Sequence, residues 1–93
     1  MRYLKVNKSS LKIIETLQNK HRDQIVAKIN SLKDDPFPVD SKKLSGYSPY
    51  LRCDCGEYRI IYSVNEALIE IFLVGKRNDD EVYSKFKRRY KNN

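Results

Sequence analysis

The chain contains one histidine, His21, and two cysteines, Cys53 and Cys55. A lone imidazole excludes an acid–base pair of two histidines. Zinc would need about two ligands beyond the thiols, and His21 is the only imidazole to offer one. Cys53 and Cys55 are separated by one residue. On an extended strand their side chains point the same way with backbones roughly 6.5–7 Å apart, a poor disulfide geometry. Both therefore read as ordinary strand residues. No apolar run approaches the ~20 residues that span a bilayer. The stretch Met1-Arg2-Tyr3-Leu4-Lys5-Val6-Asn7 alternates with charge, whereas a secretory signal carries a continuous apolar segment. A cytoplasmic location is the expectation. Internal repeats and low-complexity linkers are lacking, and no acidic residue follows Glu81.

What is present is a small basic chain. Its 93 residues predict one domain, 1–93, near the lower end of comfortable independent folding. Hydrophobic residues at 40% and charged residues at 33% fit a soluble globular protein better than a disordered one. The formal charge of +7 favours a polyanionic partner such as nucleic acid, or an acidic protein that masks the basic surface.

Tyr3 to Asn7 reads as a short edge or flanking strand. Asn7, Ser9 and Ser10 offer caps ahead of Leu11, Ile14 and Leu17, an apolar row at helical spacing. His21-Arg22-Asp23 is the expected break before a second helix with Ile25, Val26, Ile29 and Leu32 on its apolar stripe. Asp34-Asp35-Pro36-Phe37-Pro38 ends it, because a residue before proline is driven out of the helical region. Lys12, Lys20, Arg22 and Lys28 fall on the outer faces of this helical hairpin. Val39 to Pro49 has the composition of a connecting loop. Tyr50 to Cys55 is a strand, and Gly56-Glu57 a tight turn. Tyr58, Ile60, Tyr62 and Val64 alternate with Arg59, Ile61 and Ser63, the period of a strand with two different faces. Asn65-Glu66 turns into Leu68 to Val74, a central strand covered on both sides. From Asp79 onward, Val82, Tyr83 and Phe86 predict one or two helical turns before a basic end. The order β-α-α-β-β-β predicts an α+β fold: an N-terminal strand and helical hairpin packed on a small antiparallel sheet, with a short C-terminal helix. The hairpin covers one face. The other is left as a shallow site, and alternation places Arg59 on it.

Arg59, Arg77 and Tyr83 are the residues that carry chemistry. RNA can be cut by its own 2′-hydroxyl, which attacks the adjacent phosphorus and expels the 5′ oxygen. The reaction is helped by removal of the 2′ proton, stabilisation of charge on the phosphate and protonation of the leaving oxygen. Arginine stays protonated and is no base, but its donor fork suits phosphate oxygens. Fixed donors aimed at developing charge contribute ~3–4 kcal/mol each. A positioned proton donor or acceptor adds roughly 10²–10⁴-fold, and Tyr83 is the candidate for that role. Taken singly, Arg59 can be a solvent charge paired with Glu57 or Glu70, Lys76 and Arg77 the polar exit of a buried strand, and Tyr83 a packing residue.

Lys43-Leu44-Ser45-Gly46, Tyr50-Leu51-Arg52, Gly56-Glu57-Tyr58-Arg59-Ile60-Ile61-Tyr62 and Gly75-Lys76-Arg77 with Glu81-Val82-Tyr83 resemble the RelE family of toxins from toxin–antitoxin pairs, within the RelE/ParE superfamily. The resemblance covers essentially the whole chain. It implies a ribosome-dependent endoribonuclease, an mRNA interferase that needs no metal or other cofactor, cuts message in the decoding site and is restrained by an antitoxin. It assigns catalysis to Arg59, Arg77 and Tyr83. Arg52 is a further catalytic candidate that would also hold RNA backbone, together with Lys42, Lys43, Lys76 and, from the tail, Lys85 and Arg88. One departure stands out. Such toxins usually carry two basic residues on the strand before Gly-x-Tyr-Arg, and here Arg52 is followed on that face by Asp54. Asp54 is expected either to take the 2′ proton or to mark a weakened cutter. The alternatives are a toxin resembling ParE, which acts on DNA gyrase and cuts no RNA, and a catalytically weak module whose main property is antitoxin binding.

Overall fold

Asn7 sets the entry to the first helix. The computed structural model describes residues 2–77 and 81–91, and in it β1 (Tyr3–Val6) ends at Asn7. The Asn7 side-chain Oδ1 accepts from the Ser10 N–H at 3.0 Å, capping α1 (Lys8–Thr16). The same side chain donates to the Phe72 carbonyl at 2.7 Å, tying the start of the helix to the middle of the sheet.

α1 breaks earlier than the expected His21-Arg22-Asp23. Leu17 and Gln18 are both extended, and α2 runs Asn19–Ser31. His21, Arg22 and Asp23 instead lie in the first turns of α2, where the Arg22 N–H reaches the Gln18 carbonyl at 2.9 Å. The buried row of α1 also differs: Ser10 and Ile14 are buried, with Ile13 and Leu17 packed beside them, while Leu11 is exposed. Val26 is likewise exposed on α2, and Ile25, Ile29 and Leu32 form its buried stripe. α2 ends as expected before Pro36, whose carbonyl accepts from the buried Tyr62 hydroxyl at 2.8 Å.

The sheet has five strands in the order β1-β5-β4-β3-β2. Its new members are β2 (Lys42–Lys43), β3 (Tyr50–Cys55), β4 (Tyr58–Asn65) and β5 (Leu68–Lys76). β2 lies within what the composition reads as loop. β3, β4 and β5 are joined by tight turns, which force antiparallel pairing. No tight turn joins β1 to β5, and β1 pairs parallel to it, so the sheet is mixed.

Two apolar clusters hold the layers together. α1 lies over β5 and α2 over β3, burying Ile25, Leu32, Cys53, Ile60, Tyr62 and Ile69 between hairpin and sheet. Each such side chain contributes ~1.5–3 kcal/mol when fully buried. The second cluster forms on the opposite face, where α3 (Glu81–Lys91) packs Val82 and Phe86 onto Ile61 and Leu73. α3 is an 11-residue helix, longer than one or two turns, and it covers part of the face expected to be open. The expected start at Asp79 lies outside the described residues. A register shift in β5 serves this second core. Ile61 pairs with Leu73 and Tyr62 with Ile71, so Phe72 is the extra residue of a bulge and joins Leu73 on the α3 side.

Cys53 is fully buried, its thiol pushed up to about 12 by that burial, and Cys55 is half-buried with its thiol raised for the same reason; both are free. No described helix is long and apolar enough to cross a membrane.

Candidate active site

Strand pairing assembles the site at one end of the α3 face. Gly56 and Glu57 form the turn between β3 and β4, which places Cys55 opposite Tyr58 and Asp54 opposite Arg59. Tyr58, Ile60 and Tyr62 are in the core beneath the hairpin, so Arg59 and Ile61 face α3. The Arg77 N–H donates to the Glu57 carbonyl at 2.9 Å, holding the end of β5 beside the same turn. Tyr83, one residue after buried Val82, packs its ring at the edge of the second cluster.

Three of the candidates are in direct hydrogen-bond contact. Arg59 Nε donates to Asp54 Oδ1 at 2.7 Å and Nη2 to Oδ2 at 3.4 Å, while Nη1 donates to the Tyr83 hydroxyl at 2.5 Å. The guanidinium carbon lies 5.6 Å from the centre of the Tyr83 ring, within cation–π range. Arg77 Nη1 is 3.8 Å from Asp54 Oδ2, outside hydrogen-bond reach, and its side chain is 51% exposed. Asp54 thus lies between two guanidiniums. The hydrogen bond from Arg59 holds its carboxyl below the ordinary carboxylate range against the opposing effect of burial, and the charges of Arg59, Arg77 and Arg52 pull it the same way. The reciprocal bond raises the Arg59 pKa, so the pair is ionised at neutral pH. A carboxylate in this condition is a poor proton acceptor, which weighs against Asp54 as the 2′ base.

A pH prediction follows from that direction. Since the folded carboxyl has the lower pKa, Asp54 adds stability that is complete above its unfolded value of about 4. That contribution disappears as pH falls through the lower folded value. Thermal melts of wild type and Asp54→Asn are expected to differ at pH 6 and to converge toward pH 2; a constant difference across that range would contradict the assignment.

The basic candidates divide between locations. Lys42 pairs with Arg52 and so shares the Arg52 and Asp54 face, with two cations directly opposite one another. Lys43 pairs with Leu51 and lines a cleft of about 820 Å³ with Phe37, Pro49 and Tyr90, a cleft that none of Arg59, Arg77 and Tyr83 enters. Lys76 pairs with Tyr58 and borders a hollow lined from the hairpin by Ile13 and Leu17 and from α3 by Val82 and Lys85. Lys85 and Arg88 lie with Arg89 on the flank of α3 where Arg89 reaches the Ser9 hydroxyl. Lys87, absent from the candidate set, shares a cleft of about 460 Å³ with Ser45, Tyr47 and Tyr83. Its sequence signal was the spacing of four from Tyr83, which stacks two residues on one helical face. The pairing of Asp54 with Arg59 was also readable, since both are one step out from the residues flanking a two-residue turn. Among the described residues no three of His, Cys, Asp and Glu gather as metal ligands.

Gly75 lies opposite Arg59 and lets α3 approach: a Cβ there would meet Val82 Cβ and Cγ2 at 3.0 Å. Gly75→Ala is expected to cost about 1–3 kcal/mol by overpacking and to shift the helix that carries Tyr83. Urea melts check the first effect, and unchanged stability would show that α3 yields freely.

The fold, a mixed five-stranded sheet with a helical hairpin on one face and a C-terminal helix on the other, belongs to a recognisable class of small toxins. Residues 4–81 match the family described as ParE toxin of type II toxin-antitoxin system, parDE. The chain belongs to that family, within the RelE/ParE superfamily, and is a toxin of a toxin–antitoxin system. The matched span stops short of Tyr83. Solved structures agree on the fold. The archaeal RelE–RelB complex from Pyrococcus horikoshii OT3 is similar at 29% identity and a TM-score of 0.73, covering 82% of this chain and 94% of that one. A double arginine-to-alanine variant of E. coli RelE in the free state gives 25% identity and a TM-score of 0.77, covering 95% and 96%. The RelB–RelE complex from Methanococcus jannaschii gives 26% identity and a TM-score of 0.69, covering 88% and 98%. No curated protein matches the chain.

Proposed function

We propose that the protein is an mRNA interferase, a metal-independent endoribonuclease that acts on ribosome-bound message in the cytoplasm. The observation that carries this reading is the convergence of Arg59, Arg77 and Tyr83 around Asp54, with Arg59 and Tyr83 joined at 2.5 Å. In the reaction, the 2′-hydroxyl attacks phosphorus, its proton leaves to a base, and the 5′ oxygen departs with a proton. Arg77 is placed to meet a phosphate oxygen as charge builds on it. Tyr83 supplies a hydroxyl for proton transfer, with the Arg59 cation donating to its oxygen. Lys42 and Arg52 extend the cationic face for flanking phosphates, and Lys87 lies on the Tyr83 side of α3. Binding is accordingly expected to weaken steeply with salt.

A cognate antitoxin is part of the proposal, supported by RelE–RelB complexes among the similar structures. An acidic amphipathic segment laid over the basic face would neutralise charge and exclude RNA together.

The family description favours a second reading, a toxin that resembles ParE and acts on DNA gyrase. Induction in cells separates the two. Rapid loss of message that Arg77→Ala abolishes is the expected outcome. Growth arrest with intact message and stalled replication would select the gyrase reading, and absence of toxicity would leave an antitoxin-binding module.

A further inference from the structure

We infer that Asp54 is a positioning residue, whose carboxylate fixes Arg59 so that this arginine orients the Tyr83 hydroxyl and Arg77 is left as the cation that meets phosphate. The inference rests on the nuclease reading for its consequence in rate, and on the geometry alone for its first half.

All three guanidinium nitrogens of Arg59 are engaged within the protein. Nε and Nη2 address the two Asp54 oxygens, and Nη1 addresses Tyr83. The edge of the fork that would grip a phosphate in two-point fashion is therefore already held by a carboxylate. Arg59 is 16% exposed and Arg77 51% exposed, so the two arginines have different standing toward an incoming anion. Arg77 is a half-exposed cation at the rim, 3.8 Å from Asp54, and Arg59 is a spacer between a carboxylate and a phenol.

Asp54 is itself held from behind. Its backbone N–H donates to Asp40 Oδ2 at 3.0 Å, on the edge of β3 beyond the point where β2 stops pairing. Asp40 in turn pairs with Lys28 of α2 at 3.2 Å. Burial opposes ionisation of Asp40, but the bonds from the Asp54 N–H and from Lys28 outweigh it and leave its carboxyl below the ordinary range. The line Lys28, Asp40, Asp54, Arg59, Tyr83 thus runs from the hairpin to the phenol by hydrogen bonds, with one passage through the β3 backbone. Such a supported chain is what keeps a proton-transfer group within tolerance, where a misplacement of about 1 Å can lower rate by roughly 10²-fold.

The test compares wild type, Asp54→Asn, Tyr83→Phe and the double variant on purified translating ribosomes, measuring maximal cleavage rate and half-saturation separately. Asn keeps the shape but has one acceptor and a donor that faces the guanidinium. Asp54→Asn is expected to lower the maximal rate by roughly 10–10²-fold while half-saturation changes little. In the Tyr83→Phe background Asp54→Asn should have almost no further effect, since both act through one hydroxyl. A rate equal to or above wild type for Asp54→Asn would overturn the inference and make Asp54 a competitor of phosphate. Losses that multiply in the double variant would also overturn it, because Asp54 would then act apart from Tyr83. The Arg59 Nε–H NMR signal gives a readout independent of cutting. It should be protected from exchange in wild type and in Tyr83→Phe, and unprotected in Asp54→Asn. If wild type cuts no message, the nuclease reading falls, and this signal alone decides whether Asp54 fixes Arg59.

Discussion

Tyr83→Phe is expected to lower cleavage of ribosome-bound message by roughly 10²–10⁴-fold with little change in folding. The ring packs at the edge of the cluster of Ile61, Leu73, Val82 and Phe86, and phenylalanine keeps that packing. What disappears is the hydroxyl that accepts from Arg59 at 2.5 Å. One hydrogen bond of this kind contributes about 1 kcal/mol to stability, or somewhat more with a charged donor, so the melting curve should move slightly while the rate collapses. Single-turnover cleavage and urea melts on the same preparations make the comparison. A large loss of stability would mean the hydroxyl is structural. A rate near wild type would mean the proton moves by another route.

Phe86→Ala should have the largest effect on folding. Its ring is 1% exposed and meets those of Tyr47, Tyr50, Phe72 and Tyr90 at centroid separations of 5.2, 5.2, 5.6 and 5.7 Å. Truncation of a buried phenylalanine costs about 3–5 kcal/mol, against a total of about 5–15 kcal/mol for a typical domain. The loss falls on the contact between α3 and the sheet, so the helix carrying Tyr83 should loosen before the core beneath the hairpin does. Hydrogen exchange should then show Val82 to Lys91 unprotected while Ile60 and Ile69 remain slow. Uniform loss of protection would indicate that both faces of the sheet unfold as one unit.

Much of this arrangement is legible in the residues. Alternation in β4 separates Tyr58, Ile60 and Tyr62 from Arg59, and the structure keeps that division. α2 ends at Ser31, ahead of Asp34-Asp35-Pro36, in keeping with a proline that cannot continue a helix. Elsewhere the local signal is weaker than the tertiary one. Val82 and Phe86 are too few apolar residues to announce an 11-residue helix in a run of Lys and Arg, and α3 forms because the Phe72 bulge builds a second core for it. Sequence has no turn to fix the direction of β1, so its parallel pairing with β5 comes from packing. The helix break at Leu17 and Gln18 carries no Gly or Pro, which leaves His21-Arg22-Asp23 as the more polar but mistaken choice. Asp54 was ambiguous by charge alone. Its meaning depends on the register that places it opposite Arg59, and on Asp40, a residue in the loop that showed no signal at all.

Arg59, Arg77 and Tyr83 are proposed to form a site for scission of RNA on the ribosome. The direct measurement maps the ends of a defined message on purified translating ribosomes after addition of the protein, with Arg77→Ala alongside. Wild type is expected to cut within the decoding site, leaving a cyclic or 3′-phosphate and a 5′-hydroxyl, and Arg77→Ala to leave full-length message. Intact message with wild type, or cuts that Arg77→Ala leaves unchanged, would contradict that assignment.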